Sequence, residues 1–177
     1  MKSISFFTIE FLFSALVLLA ILYPYFRFRK EFDRHISNVG KASRVIDKIG
    51  SFEFAGQKIN YLRKIDPFVF EELLLSSFEM KGFKVVRNKR YTGDAGIDGT
   101  IYDKRGNKIW TQAKRYRGYI DPKHITAFED LLLKGNISVG YFIHTGKSSV
   151  GTRTRFRNSR VRVIGGSSLI RLLEKPC

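Results

Sequence analysis

The sequence has almost no cysteine. Its one cysteine, Cys177, is the last residue, whereas a disulfide framework within the chain or a thiolate zinc site needs several sulfur atoms. Both are excluded, and ordinary packing is expected to stabilise the fold. No internal repeat or low-complexity segment interrupts the 177 residues, a length that suits one domain of common size plus an appendage.

Acidic residues are also scarce, because 16 Asp and Glu face 32 Lys and Arg, for a formal net charge of +16. This excess predicts a polyanionic partner, either nucleic acid or an anionic lipid surface. Residues 61–177 hold 23 Lys and Arg against 11 Asp and Glu, a net charge of +12, and the first 60 residues hold only +4. The positive charge therefore lies mostly outside the N-terminal region, which favours nucleic acid.

Long hydrophobic runs are absent except at the N-terminus, where residues 4–26 contain a single charge, Glu10. At about 1.5 Å per residue, a helix of this length crosses a hydrocarbon core of about 30 Å. The charge-free part covers only residues 11–26, so Glu10 must lie near the outer interface. We predict a transmembrane helix within residues 1–26.

Basic residues directly follow this run, at Arg27, Arg29 and Lys30. Under the positive-inside rule they place the carboxyl side of the helix in the cytoplasm, which predicts a single-pass protein of the inner or cell membrane. A cleaved signal peptide is the competing interpretation, with Lys2 as a short basic region and Ala20 before the cleavage site. No convincing small-x-small cleavage motif supports it.

Residues 27–60 carry apolar side chains at three-to-four spacing, interrupted by Gly40. This pattern predicts a juxtamembrane helical linker with a break at Gly40. We expect it to act as a spacer between the membrane and a folded domain of residues 61–177.

The folded domain is predicted to begin with a helix. Asp66 is the expected N-cap, Pro67 suits the first helical position, and Gly82 supplies a left-handed terminating residue after about residue 81. A further helix is predicted over residues 122–134 and a short closing helix over 167–174.

Strands are predicted between these helices from runs rich in β-branched and aromatic residues. They cover residues 83–87, 97–102, 108–114, 138–144 and 161–164, with a hairpin turn at 104–107. The element order is α-β-β-β-α-β-(α)-β-α, preceded by the transmembrane helix. This order predicts an α/β domain.

Oxygen-bearing residues converge on two of the predicted strands. On adjacent antiparallel strands Asp98 can face Gln112, and Gln112 and Lys114 project from the same face because they are two residues apart. The Asp98 carboxylate, the Gln112 amide oxygen and the backbone carbonyl of Ala113 are suitable ligands for a hard cation such as Mg²⁺. An ammonium group at Lys114 would then stabilise the charge that phosphodiester hydrolysis develops.

Asp98, thirteen intervening residues and Gln112-x-Lys114 resemble the signature of the PD-(D/E)XK nuclease superfamily. The runs DPFVFEELLLSSFEMKGFKVV (66–86), GDAGIDG (93–99) and QAKRYRG (112–118) together resemble the catalytic domain of Mrr-type restriction endonucleases, over roughly residues 61–170. The resemblance implies a restriction-endonuclease-like core, a central mixed sheet flanked by helices. It also implies hydrolysis of DNA phosphodiester bonds with Mg²⁺ or Mn²⁺.

The resemblance implies roles for particular residues. Asp98, Gln112 and Lys114 would form the metal-binding and catalytic core, and Glu71 would be the additional acidic residue, with Glu72 as its alternative. Glutamine stands at 112 where many relatives have glutamate, which lowers the ligand charge by one and is expected to weaken metal binding.

Two basic segments, residues 115–117 and 152–160, have the composition of a surface that follows a phosphate backbone. A solvated surface is the alternative interpretation. The predicted nucleic-acid-binding residues are Arg115, Arg117, Lys147, Ser148, Arg153, Arg155 and Arg157.

The sequence therefore predicts a membrane-anchored, metal-dependent DNA endonuclease. The main alternative is a catalytically silent DNA-binding module that tethers DNA at the membrane, and a scaffold that binds anionic lipid is the third. Nucleases of this kind often pair to cut two strands, so a homodimer is compatible with the resemblance. Target preference does not follow from the sequence.

Overall fold

The computed structural model describes residues 6–88 and 96–175, with side chains described from residue 11. The chain divides into two compact units, Met1–Ser37 and Asn38–Cys177. Helix α1 covers Phe6–Gly50 and therefore contributes residues to both units. Each unit is described by itself.

The described residues of the first unit belong to the amino-terminal part of α1, in which residues 11–26 are apolar and mostly exposed. Phe11 and Phe13 are 74% and 70% exposed. Within the described residues, one helix is long and apolar enough to cross a membrane, and none of its most apolar window is buried in protein. The predicted apolar N-terminal helix is confirmed, while the side chain of Glu10 lies outside the described residues.

The predicted helix break at Gly40 is wrong, because α1 continues through this residue to Gly50. A glycine inside a helix costs only about 1 kcal/mol relative to alanine. Burial of Ala42, Val45 and Ile49 in the core of the second unit exceeds that cost.

The second unit begins at Asn38, whereas the sequence prediction placed the start of the folded domain at residue 61. Asn38 and Ile46 are buried in this unit. The apolar positions of residues 38–50 thus belong to a core and do not form a free spacer. Their three-to-four spacing is the same for both roles, so only the packing distinguishes them.

Helix α2 covers Ala55–Leu62 and helix α3 covers Pro67–Met80. The Asp66 carboxylate accepts hydrogen bonds from the backbone N–H groups of Phe68 (2.9 Å) and Val69 (3.3 Å), as predicted for an N-cap. Gly82 has a φ of +83° just beyond the helix end. Helix α3 packs on the first three strands of the sheet.

Five strands form one mixed sheet in the order β1-β2-β3-β4-β5. The first three strands are antiparallel, and β3, β4 and β5 are parallel. The strands are β1 (Lys84–Arg87), β2 (Gly99–Tyr102), β3 (Lys108–Lys114), β4 (Val139–His144) and β5 (Val161–Ile164).

Three helices complete the fold: α4 (Pro122–Lys134), α5 (Val150–Arg155) and α6 (Gly166–Leu173). One hydrophobic cluster joins α3 and α6 to one face of the sheet, through residues such as Leu73, Ile143 and Leu169. A second cluster joins α4 to the opposite face, through Phe128 and Phe142. The predicted mixed sheet flanked by helices and its element order are confirmed.

Candidate active site at the end of strands β2 and β3

The site lies where β2 stops pairing with β3. The paired residues of the two strands begin at Gly99 and Thr111, and the N–H of Asp98 donates to the carbonyl of Thr111 at 2.9 Å. Strand β3 continues to Lys114, paired with β4 through that residue but no longer with β2. The last residues of β3 therefore have an edge that β2 does not cover.

The Asp98 carboxylate lies at this edge. Its Oδ2 accepts a hydrogen bond from the N–H of Ala113 at 2.5 Å. The N–H and C=O groups of one strand residue point toward the same neighbouring strand. The Ala113 carbonyl is therefore directed toward the same edge as the Asp98 carboxylate.

Gln112 is 7% exposed, and its two amide atoms have different environments. The Nε2 group donates to the carbonyl oxygen of Gly96 at 2.7 Å. Within the described part of the chain, Oε1 is buried and has no hydrogen-bond partner. The Gly96 carbonyl fits this orientation of the amide, because a carbonyl oxygen accepts a hydrogen bond from the amide nitrogen and not from the amide oxygen.

Lys114 follows two residues later, on the same face of β3 as Gln112, and is partly buried. Its backbone carbonyl accepts from the N–H of Thr145 at 3.3 Å, and it is paired with His144 in the β3–β4 register. These contacts position the backbone from which the ammonium group extends.

The two candidate glutamates of α3 have different environments. Glu72 is 1% exposed, and its Oε2 accepts from Nε of Arg87 at 2.8 Å. Arg87 also donates two hydrogen bonds of 2.7 Å to Glu79, and these contacts, with Glu79 first, raise the pKa of the guanidinium against the effect of burial. Glu71 is only partly buried and lies on the helix that packs against β1, β2 and β3.

His144 is a buried neighbour of the site, at the end of β4. Its Nε2 lies 3.0 Å from the hydroxyl oxygen of Ser148, and no partner for its buried Nδ1 is found among the described residues. Burial lowers the pKa of His144 to about 4, against a smaller opposing effect of a Gly146 backbone hydrogen bond. The imidazole is therefore neutral at pH 7.

The predicted nucleic-acid-binding residues separate into two groups. The Arg115 guanidinium donates inward to the backbone carbonyls of Arg63 (3.3 Å) and Ile65, and the Ser148 hydroxyl contacts His144. The remaining five are exposed: Arg117, Lys147, Arg153, Arg155 and Arg157.

Backbone hydrogen bonds join the loops that follow β3 and β4. The N–H of Ile120 donates to the Lys147 carbonyl at 3.0 Å, and the N–H of Lys147 donates to the Gly118 carbonyl at 2.9 Å. The loops that carry Arg117 and Lys147 are thereby held together at the carboxyl ends of these strands.

The donor set at the uncovered edge fits a hard divalent cation. It consists of the Asp98 carboxylate, the Gln112 amide oxygen and the Ala113 carbonyl, which are oxygen ligands of the kind that Mg²⁺ takes. In residues 6–88 and 96–175, no group of three or more His, Cys, Asp or Glu residues could hold a metal ion. Asp94, in the GDAGIDG run, lies outside the described residues.

The sequence prediction missed the contact between Gly96 and Gln112. Gly96 has a φ of +86°, a left-handed conformation that glycine adopts readily. Its place in a glycine-rich loop is the one sequence signal for such a conformation, and nothing in the sequence indicates which side chain its carbonyl binds.

Known proteins provide an independent comparison. A family model described as Mrr_cat, restriction endonuclease, matches residues 62–173. Among solved structures, the MspJI restriction endonuclease in complex with a 27-mer oligonucleotide is similar, with a TM-score of 0.50 and 20% sequence identity. The match covers 67% of this chain and 30% of the MspJI chain, and it shows a shared fold.

The sequence has no match among the curated proteins compared with it. The family model nevertheless covers well over half of the chain, and the segment it matches contains Asp98, Gln112 and Lys114. The order of helices and strands around those residues is the one that the local sequence patterns predicted. The chain therefore belongs to the Mrr_cat family of restriction endonucleases.

Proposed function

We propose that this protein is a metal-dependent DNA endonuclease anchored in a membrane by the amino-terminal part of α1. The observation that carries the proposal is that Oε1 of Gln112 is buried without a hydrogen-bond partner in residues 6–88 and 96–175, one residue before the Ala113 backbone that the Asp98 carboxylate contacts. A buried polar atom without a partner costs about 1–3 kcal/mol. A cation bound at this edge would offset that cost.

The proposed ligands are the Asp98 carboxylate, the Gln112 Oε1 and the Ala113 carbonyl. A bound Mg²⁺ or Mn²⁺ would supply Lewis-acid charge to the scissile phosphate and lower the pKa of the attacking water. Lys114 acts from the same face of β3, where its ammonium group stabilises the negative charge that develops on the phosphate oxygens. A new P–O bond forms to water as one P–O ester bond breaks, which leaves a phosphomonoester and a hydroxyl group.

Glu71 is the proposed supporting carboxylate. The Glu72 carboxylate is buried against Arg87, whereas Glu71 is only partly buried and so more accessible, which favours Glu71 of the two candidates. We propose that Glu71 orients the attacking water or the Lys114 ammonium group. The plasmid-cleavage assay described below for Lys114→Ala also tests this role, with Glu71→Gln as the variant.

DNA is the proposed substrate because the family consists of restriction endonucleases and the similar MspJI structure contains an oligonucleotide. The exposed cations Arg117, Lys147, Arg153, Arg155 and Arg157 are proposed to hold its backbone. Arg115 and Ser148 are partly buried and have contacts within the protein, so we assign them to the support of the site rather than to its DNA surface. Arg153 and Arg155 also donate hydrogen bonds, to the Ser148 carbonyl and the Thr126 hydroxyl, but both side chains are exposed.

Plasmid cleavage tests the proposal. The full chain in detergent is used because Ala42, Val45, Ile46 and Ile49 belong to the core, and a fragment starting at residue 61 would lose them. Supercoiled plasmid is incubated with Mg²⁺, Mn²⁺ or EDTA. We expect metal-dependent nicking, and linear product in addition if two copies act together.

Two pairs of variants locate the chemistry. Lys114→Ala should lower the cleavage rate by about 10³-fold or more and retain DNA binding, whereas Lys108→Ala, on the same face of β3, should cut normally. Asp98→Ala should lose cleavage, and Asp130→Ala, at an exposed position of α4, should not. Normal cleavage by Lys114→Ala would contradict the assignment. DNA binding without cleavage in any divalent metal would favour the silent tethering module.

Membrane anchoring has its own test. The exposed apolar side chains of residues 11–26 support it, as do the basic residues that follow them. We expect the full chain to stay with membranes after alkaline carbonate extraction, and a C-terminal reporter to be active in the cytoplasm. Release into the soluble fraction would contradict the anchor without affecting the cleavage assay.

A further inference from the structure

We propose that Gly96 is a positioning residue: its carbonyl orients the amide of Gln112 for cation binding and makes glutamine a better ligand than glutamate at position 112. This inference rests on the proposed metal-dependent function. It concerns how the ligand is held and which side chain the site accepts.

The contact between the two residues leaves no room for a side chain at position 96. A Cβ placed on Gly96 would lie 2.7 Å from Nε2 of Gln112, and the φ of +86° disfavours other residues. The same backbone places the Gly96 carbonyl 2.7 Å from that nitrogen as its hydrogen-bond acceptor. Glycine therefore provides both the space and the acceptor.

The hydrogen bond determines which amide atom faces the cation edge. With Nε2 held by Gly96, Oε1 is the atom left buried without a partner among the described residues. Rotation of the amide by 180° would bring Oε1 against the Gly96 carbonyl, where two acceptors repel each other. Gly96 thus selects the rotamer in which Gln112 offers an oxygen to the metal.

A glutamate at position 112 has no donor for this contact. One carboxylate oxygen would face the Gly96 carbonyl at about the distance now occupied by Nε2, so the side chain or the loop would have to shift. Counting charges alone predicts tighter cation binding by glutamate than by glutamine. The geometry predicts the opposite order.

The experiment measures Mn²⁺ binding to the full chain in detergent, without DNA, by titration calorimetry and by electron paramagnetic resonance of the free ion. The variants are Gly96→Ala and Gln112→Glu. The matched control is Gly106→Ala, because Gly106 has nearly the same φ, +81°, and a Cβ there has nothing within 4 Å. Thermal unfolding of each variant separates lost binding from lost folding.

We expect the Mn²⁺ dissociation constant to rise about tenfold or more in Gly96→Ala and in Gln112→Glu, in the range seen when the support of a metal ligand is removed. Gly106→Ala should stay within about twofold of the unmodified chain, since it has the same backbone strain without the contact to Gln112.

Equal affinities in Gly96→Ala and Gly106→Ala would overturn the inference, as would tighter Mn²⁺ binding by Gln112→Glu. If Asp98→Ala still abolished binding and cleavage in that case, the proposed function would stand without the role of Gly96. Absence of Mn²⁺ binding in the unmodified chain would overturn both. If Gly96→Ala did not fold, the order of glutamine and glutamate would decide the question alone.

Discussion

Two buried polar groups lie at the same end of the sheet and differ in how completely their hydrogen-bonding atoms are used. On β1, Arg87 pairs in register with Gly99 and holds the buried carboxylate of Glu72. On β3, Gln112 has one amide atom bonded to Gly96 and the other without a partner in the described structure. In the first arrangement the buried charge has a partner of opposite charge, and in the second we propose that a bound cation supplies the missing contact.

The difference shows why burial alone does not identify a functional residue. Glu72 is more buried than Gln112, yet its carboxylate is neutralised by an arginine that Glu79 also contacts. A paired buried charge is a structural element, and its partner is costly to remove. The Oε1 atom of Gln112, buried and without a partner among the described residues, is instead proposed to bind a ligand.

The largest expected effect comes from removing Arg87, the partner of the buried Glu72 carboxylate. Arg87→Ala removes the guanidinium that pairs with the buried Glu72 carboxylate, which should lower the free energy of unfolding by about 3–5 kcal/mol. Arg162→Ala, at an exposed position of β5, is the control and should change it by less than about 0.5 kcal/mol. Urea unfolding of both variants provides the measurement. A loss below about 1 kcal/mol for Arg87→Ala would contradict the structural role of the pair.

The next effect comes from His144, whose imidazole is 1% exposed and has its Nε2 3.0 Å from the Ser148 hydroxyl oxygen. The unfolded chain binds a proton near pH 6.5, and the folded chain does so only near pH 4. The contribution of His144 to the free energy of unfolding is therefore fully present above pH 6.5 and is lost as the pH falls toward 4, by about 2 kcal/mol at pH 5.

Urea midpoints measured between pH 7 and pH 5 test the His144 prediction. His144→Asn removes the titrating group and should flatten the decline over this interval, whatever its effect on stability at pH 7. A decline of the same slope in both proteins would show that another group is responsible.

The smallest effect on stability is expected when Gln112, whose Oε1 has no partner among the described residues, is replaced by an apolar residue. Gln112→Leu removes the unpartnered oxygen but also leaves the Gly96 carbonyl without its donor. These changes oppose each other, so stability in EDTA should change by about 1 kcal/mol or less. Mn²⁺ should raise the unfolding temperature of the unmodified chain and have no effect on this variant. An equal rise in both would exclude Gln112 as a ligand.

The order of the elements could be predicted because its signals are local. The bounds of β3, α4 and β5 agree with the sequence prediction, since β-branched runs and capping residues determine them within a few positions. The N-cap at Asp66 and the terminating Gly82 are further examples. The spacing of Asp98, Gln112 and Lys114 identified the candidate site for the same reason.

Contacts between distant residues could not be predicted in this way. Arg115 resembles a DNA-binding residue in sequence, but it donates to carbonyls near residue 65, about 50 positions away. The assignment of residues 38–50 to a linker failed similarly, because an apolar helical stripe does not specify its partner. Such outcomes depend on which surfaces meet, and only the folded chain contains that information.

By itself, the sequence determined the order of the helices and strands after residue 66, the strong positive charge, the apolar N-terminal helix and the family resemblance, all of which follow from local composition and spacing. Only the tertiary structure decided that Glu72 is paired by Arg87 and that Gly96 holds the amide of Gln112. The physical reason is that a hydrogen bond depends on distances and directions between atoms that lie far apart along the chain. Those distances are set when the helices pack on the sheet.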